Sequence, residues 1–378
     1  MIANDPHLPF SWPSVFSPIH LRLLDGPTDV TGSGFPGVPA VLIGRNRHIS
    51  WGATTNPVDV TDTYLEQVRP IPGSPSGLAT LFQGKLEPIQ AVPETFRTNN
   101  PGSGKPDDVR VVPPGGGIPA ATLIVPRRNN GPVIQLDQSG GVALSVQYTG
   151  YSGTRELETF FRWDDATNLR EFREGLATFD VGSQNWMYGD TSGNIAYFTS
   201  AEVPLREDLQ AGAVAGVPPM FVRDGTGGNE WLPAEDPLPG QAIPYEILPP
   251  EEMPHTVNPV KGFFVSANND PAGHTLDNDL LNQTRPGGGI YYLGGERFDQ
   301  FRAGRITDLL AERFAAGKVS VADMWAVQAD VGLVDAEFFV SHLVRALNNA
   351  KVSDHPALRA LADQPPLAEE VGRLGEWD

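Results

Sequence analysis

Almost every apolar run in this chain is short and stops at a glycine, a proline or an amide-rich turn. Ile19-His20-Leu21-Arg22-Leu23 alternates apolar and polar, and Val142 to Val146 and Gly131 to Leu136 are of strand length. The 41 glycines and 36 prolines that punctuate such runs point to a strand-rich, loop-heavy fold. With 378 residues, 40% of them hydrophobic, the chain can bury a substantial core. No internal repeat or linker divides it, and it reads as a single unit.

Charge and cysteine content exclude several functions. A formal net charge of −19 argues against nucleic acid or an anionic membrane surface as partner. The same carboxylate excess suits a hard cation such as Ca²⁺, and equally plain solubility or adaptation to salt. With no cysteine, there is no disulfide, thiolate metal site or cysteine nucleophile. No apolar run approaches a membrane span, and Met1-Ile2-Ala3-Asn4-Asp5 is not a signal peptide.

Along the chain, Ala3 to Phe10 reads as a turn around Asn-Asp-Pro, with His7 just beyond it. Pro39 to Ile43 and His48 to Trp51 flank Gly44-Arg45-Asn46-Arg47 as a hairpin. Thr54 to Glu66 concentrates Asp59 and Asp62 around Thr61, either a cation-wrapping segment or a solvated acidic loop. Residues 98–119 are the most loop-like part, an exposed insertion or a hairpin tip. Leu157 to Phe161 and Asn168 to Phe179 are helical, and Gln184 to Asp190 turns through Thr191-Ser192-Gly193-Asn194 into Ile195 to Thr199. Ala201 to Pro259 is a long proline-rich passage with little that can be helix or sheet interior. Ser320-Val321-Ala322-Asp323 is a capping box, and Glu337 to Asn349 is helical.

The chemistry concentrates in Phe263 to Leu310. Phe263, Phe264 and Val265 read as a buried strand that breaks into Ser266-Ala267-Asn268-Asn269-Asp270-Pro271. After Gly287 to Gly289, Phe298 to Leu310 becomes helical and carries Arg302 and Arg305. An uncharged amide that donates to an oxyanion, beside a guanidinium that orients it, suits acyl transfer. The same residues also suit an ordinary amide turn and a wet helix face. Other chemistries lack their patterns. Ser139 and Ser152 do not sit in Gly-x-Ser-x-Gly, the histidines form no zinc pair, and Gly115 to Gly117 lacks the P-loop lysine. No spacing picks out a glycosidase acid and base.

Several ordered blocks resemble the penicillin acylase (penicillin amidase) family of N-terminal nucleophile hydrolases, over essentially the whole chain. They are ANDPHL at Ala3 to Leu8, FPGVP at Phe35 to Pro39, and IGRNRHISWGATTNPVDVTDTYLE at Ile43 to Glu66. NNGPVI at Asn129 to Ile134, QNWMYGDTSGNIAY at Gln184 to Tyr197, SANNDP at Ser266 to Pro271 and RAGRITDLL at Arg302 to Leu310 complete the set. The resemblance implies an α+β, four-layer αββα sandwich, here incomplete, from a precursor that cuts itself into α and β chains. It implies hydrolysis of a small-molecule acyl amide by an N-terminal serine whose own amine serves as base.

By the same resemblance Asn268 donates to the oxyanion from its side chain and Thr55 from its backbone, while Arg305 orients Asn268 and His7 assists the terminus. A structural Ca²⁺ falls on Asp59, the Thr61 carbonyl, Asp62, the Pro219 carbonyl and Asp279, and the location implied is periplasmic or extracellular. One departure stands out. The family's nucleophile lies well before NDPHL, whereas only Met-Ile-Ala-Asn-Asp-Pro precedes His7. The expectation is an internal β-chain fragment that lacks its nucleophile and its α chain and is inactive alone. The rival expectations are a calcium- or ligand-binding relative without chemistry, and a carbohydrate-active protein stacking sugars on Trp12, Trp51 and Trp186.

Overall fold

The computed structural model describes residues 1–295, 298–299 and 301–376. In chain order the strands are β1 (Ser17–Arg22), β2 (Asp29–Gly34), β3 (Ile43–Arg45), β4 (Ile49–Thr55), β5 (Thr61–Pro70), β6 (Leu78–Phe82), β7 (Lys85–Pro88) and β8 (Gln90–Pro93). They continue with β9 (Phe96–Asn99), β10 (Val109–Val112), β11 (Ala121–Val125), β12 (Gly131–Asp137), β13 (Val142–Tyr148), β14 (Gln184–Asp190), β15 (Ile195–Ser200), β16 (Arg223–Asp224) and β17 (His255–Val257). The helices are α1 (Glu156–Asp165), α2 (Leu169–Leu176), α3 (Glu207–Gln210), α4 (Arg302–Ala316), α5 (Val321–Gln328), α6 (Val334–Lys351), α7 (Pro356–Ala362) and α8 (Pro365–Gly375).

One sheet runs β1-β2-β3-β4-β14-β15-β17, and a second runs β7-β6-β5-β13-β12-β11-β8 with β16 beside β5. Neighbours within each sheet pair antiparallel, save for the parallel β16–β5 contact. The class is α+β. In β1 the half-buried Ile19 and Leu21 alternate with exposed His20 and Arg22, as the period of a one-sided strand requires. β9 and β10 form a separate exposed ribbon that closes over residues 100–108.

The β4–β14 register divides the first sheet into an apolar and a polar face. Trp51 sits opposite Tyr188 and Ala53 opposite Trp186, while Thr54 pairs with Asn185 on the other face. The tryptophan face packs on α1 and α2. Trp163 is fully buried, stacks on Phe172 at 4.2 Å and meets Trp186 edge-on at 4.7 Å. Its indole N–H donates to the Phe172 carbonyl at 2.8 Å. Asn46, at the β3–β4 turn, caps the end of α1: its Nδ2 donates to the carbonyls of Trp163, Asp164 and Ala166. Its Oδ1 accepts the backbone N–H of His48 and Ile49, so one side chain ties hairpin to helix.

Several local expectations are corrected. Phe263 to Val265 joins no ladder. Its rings instead pack outward on other elements, Phe263 on Phe314 at 5.0 Å and Phe264 on Tyr197 at 6.0 Å. The helix expected from Phe298 starts at Arg302, because the Asp299 carboxylate takes the backbone N–H of Phe301 and Arg302. The acidic stretch is no surface loop. Thr61 begins β5, and Asp62, Tyr64 and Glu66 line its buried face. Trp51 and Trp186 are core residues at 2% exposure, so of the sugar-stacking trio only Trp12 faces solvent. Among the described residues no helix is long and apolar enough to cross a membrane.

Trp163→Ala removes the centre of this packing and should lower unfolding stability by about 3–5 kcal/mol in urea denaturation. A loss below about 1 kcal/mol would contradict the central role given to it.

Candidate functional site

The polar face at the end of β4 and the start of β14 meets the SANNDP turn. Asn185 is fully buried, and its Nδ2 donates to Thr54 Oγ1 at 3.1 Å and to the Thr55 carbonyl at 3.3 Å. Tyr197 of β15 donates its hydroxyl to Asn185 Oδ1, which leaves the Asn185 amide nitrogen aimed at β4. Burial, with the Asp270 charge adding to it, keeps the Tyr197 phenol protonated. Thr54 Oγ1 shares a hydrogen bond of 2.7 Å with Ser266 Oγ, joining β4 to the turn.

Asn268 stands at the centre of the turn, with a left-handed backbone at φ 63°, a conformation asparagine tolerates better than most residues. Its Nδ2 donates to the Thr55 carbonyl at 2.6 Å. Its Oδ1 accepts from Arg302 Nη2 at 2.7 Å, and the same nitrogen donates to the Ala267 carbonyl at 3.0 Å. A guanidinium only donates, so this contact fixes which end of the carboxamide is oxygen. It also polarises the amide, which makes the Nδ2 hydrogens stronger donors. Asp299 completes the arrangement, accepting from Arg302 Nε at 3.0 Å while its own N–H donates to the Asn268 carbonyl at 2.8 Å.

The structure brings Asn268 and Thr55 together through the Thr55 carbonyl rather than its backbone N–H, and the guanidinium on Asn268 is that of Arg302 rather than Arg305. Arg305 lies three residues further along α4 and pairs with Asp330 at 2.8 Å. Because Asp299 sets the helix start, Arg302 falls in the turn beside Asn268 and Arg305 in the part that faces Asp330. His7 is exposed, its Nδ1 held 2.9 Å from the Asp5 carbonyl. The part of that N-terminal turn fixed to the site is Asn4, whose side chain both donates to and accepts from the Ala53 backbone at 2.9 Å. A cavity of about 480 Å³ lies elsewhere, lined by Leu65, Gln67, Arg69, Val222 and Asp224 of the second sheet and its neighbours.

The residues expected to hold calcium do not assemble as a metal site. Arg206 sits between the two carboxylates. It meets Asp62 through Nε at 2.9 Å and Nη2 at 2.6 Å, and its Nη2 lies 3.5 Å from Asp59. Trp231 donates to Asp62 at 2.9 Å and Tyr292 to Asp59 at 2.7 Å. Burial alone would push Asp62 up, but the Arg206 charge and its hydrogen bonds outweigh it and keep Asp62 ionised. Asp279 lies in an exposed turn with its Oδ1 bonded to the Leu281 N–H, and Pro219 is buried in the passage after α3. Among the described residues no three His, Cys, Asp or Glu side chains gather as a metal would need. A donor set already saturated by a guanidinium, an indole N–H and a phenol does not fit Ca²⁺, which asks for six to eight oxygens free to coordinate it.

Sequence reasoning passed over one further device. Asp270, two residues beyond Asn268, accepts from the backbone N–H of Ala272, Gly273 and Thr275. The ring of buried His274 stands 3.2 Å from Asp270 through Nδ1 and 2.9 Å from the Gly294 carbonyl through Nε2. Both ring nitrogens face acceptor oxygens, an arrangement that suits the doubly protonated imidazolium. Burial lowers its pKa, but Asp270 and the Gly294 carbonyl more than offset that and raise it above the usual 6.5. Asp270, in turn, is held well below the usual carboxylate range despite burial, by His274 and the backbone donors. Linkage gives the sign. The His274 contribution is complete below its unfolded pKa and fades as pH rises through the folded one, whereas the Asp270 contribution fades only in strong acid. The melting-temperature gap between wild type and His274→Gln should therefore shrink as the pH is raised from about 6 into the alkaline range. A gap that stays constant over that range contradicts the charged state.

Known proteins resemble this chain in sequence and fold. The penicillin amidase family profile matches residues 1–378. Penicillin acylase 2 proenzyme of Pseudomonas sp. (strain SE83) is 25% identical over 346 residues, covering 89% of this chain and 37% of that protein. Acyl-homoserine lactone acylase PvdQ of Pseudomonas savastanoi pv. phaseolicola is 25% identical over 343 residues, covering 87% of this chain and 40% of that one. The chain therefore spans about two fifths of the length of these relatives. The structure of thermostable penicillin G acylase from Alcaligenes faecalis superposes with a TM-score of 0.64 at 23% identity, over 99% of this chain and 55% of that one. That likeness shows the fold, the α+β sandwich of antiparallel sheets and helices that this chain shares with that structure. By sequence over its whole length, this chain is a member of the penicillin amidase family.

Proposed function

We propose that these residues form the oxyanion-binding half of an amide hydrolase that removes an acyl group from an amine. The observation that carries the reading is the Arg302–Asn268–Thr55 chain of hydrogen bonds, a polarised carboxamide next to the backbone at the end of β4. One Nδ2 hydrogen of Asn268 is used on Thr55, and the second remains for the oxygen that gains charge as the amide carbonyl turns tetrahedral. The backbone N–H of Thr55 is the second donor of this reading, and Asn185 with Tyr197 keeps that backbone in place. Arg302 is a positioning residue here, acting through Asn268 on the reacting oxygen. Arg305 keeps α4 in register through Asp330.

The nucleophile of this reading comes from outside the 378 residues. Among the described residues, two hydroxyls of the site, Thr54 and Ser266, bond to each other, and no amine or imidazole base is hydrogen-bonded to either. The relatives' names speak of penicillins and acyl-homoserine lactones, so the substrate class proposed is a small acyl amide of that kind. The partner proposed is the remainder of a relative-sized precursor, its α chain included. Exposed Phe10, Trp12, Leu24, Trp325 and Phe338 supply the apolar surface such a partner would cover.

Two measurements test this. The 378-residue protein should release no p-nitroaniline from an acyl p-nitroanilide, and turnover abolished by Asn268→Ala would overturn the external nucleophile. In a longer chain that carries these residues with an upstream serine, Asn268→Ala should lower kcat about 10²–10³-fold. Unchanged kcat would overturn the oxyanion role.

A further inference from the structure

We infer that Arg206 is the built-in cation of this fold, standing where a divalent ion would sit, and that the chain neither needs nor binds Ca²⁺ at Asp59 and Asp62. The inference is independent of the hydrolase reading, since it concerns the stability of the fold.

Three observations carry it. First, the contact is built rather than incidental. Arg206 is 1% exposed and Asp62 fully buried, and both Nε and Nη2 engage the one carboxylate. Second, the remaining oxygens have partners. Asp62 Oδ2 takes the Trp231 indole and the Tyr64 hydroxyl, Asp59 Oδ2 takes the Tyr292 hydroxyl, and the Asp59 carbonyl takes Arg206 Nη2 at 3.3 Å. A divalent ion entering here would displace those donors and stand next to a guanidinium, with like charges close in a medium of low dielectric.

Third, the same solution recurs along β5. Two residues beyond Asp62, the Tyr64 ring stacks under Arg128 at 3.3 Å. Two further on, buried Glu66 accepts from Arg128 Nε at 2.8 Å and Ser145 Oγ at 2.7 Å. Arg128 also meets Glu230, and Arg223 closes on Asp208 nearby. Asp62 and Glu66, the buried acids of this strand face, are each paired with an arginine from another part of the chain, which offsets the negative charge that a metal would otherwise balance. This strand face carries its counter-ions covalently.

The test is thermal melting of the 378-residue protein in EDTA, in millimolar CaCl₂ and in MgCl₂ at matched ionic strength, with calorimetric titration of CaCl₂ alongside. The expected result is one melting temperature in all three solutions and no saturable Ca²⁺ heat. A Ca²⁺ rise beyond that in Mg²⁺, or a fall in EDTA, overturns the inference, because a ligand that binds the native state must raise its melting point. Arg206→Gln should melt lower and regain stability with Ca²⁺ as the vacated carboxylates become available. Arg206→Lys, which keeps a positive charge, should stay insensitive to Ca²⁺. A folded Arg206→Gln that ignores Ca²⁺ would contradict the placing of the guanidinium at the cation's position. Should Arg206→Gln fail to fold, the wild-type comparison and Arg206→Lys still decide the matter.

Discussion

The antiparallel pairing of β4 with β14 is the constraint from which both the core and the site follow. With a side-chain period of two, one register puts Trp51, Trp186 and Tyr188 against α1 and α2 and Thr54 with Asn185 on the opposite face. A slip by one residue would send the tryptophans into the polar site and the amide into the core. The aromatic packing around Trp163 therefore does more than stabilise. It selects the register that holds the Thr55 backbone where Asn268 can reach it.

Several buried acids share one solution. Asp62, Glu66 and Asp208 are each met by an arginine, respectively Arg206, Arg128 and Arg223, and Asp270 by the ring of His274. Breaking such a pair leaves a carboxylate without compensation in a dry interior, which is costlier than the net gain from forming it. The long proline-rich passage 201–259 contributes little regular structure, yet it delivers Arg206, Arg223, Glu230 and Trp231 to the buried face of β5. Its role is to cover that strand.

What could be read in the sequence was local. The alternation of β1, the hairpin of β14 with β15, the Ser320–Asp323 capping box and the amide turn at Asn268 all depend on residues close together in the chain. Asp59 and Asp62 were legible as a pair, but their partner is 144 positions away from Asp62, and no local pattern points to it. Arg302 and Arg305 share one motif three residues apart. Only the position of the helix start, set by Asp299, decides which of them meets the turn. Phe263 to Val265 has strand composition, yet its rings find packing without a ladder. Local propensity yields where tertiary contacts already satisfy the side chains.

The central claim is that Arg302 acts through Asn268 on a developing oxyanion. The most direct measurement is a double-mutant cycle on kcat for acyl-amide hydrolysis, made with Asn268→Ala and Arg302→Lys in a longer chain that contains these residues and a nucleophile. If the two side chains act as one unit, the double variant should be little slower than Asn268→Ala alone, with a coupling of about 1–3 kcal/mol. Additive losses would mean that Arg302 contributes independently of the Asn268 amide, and the account of the site would fall.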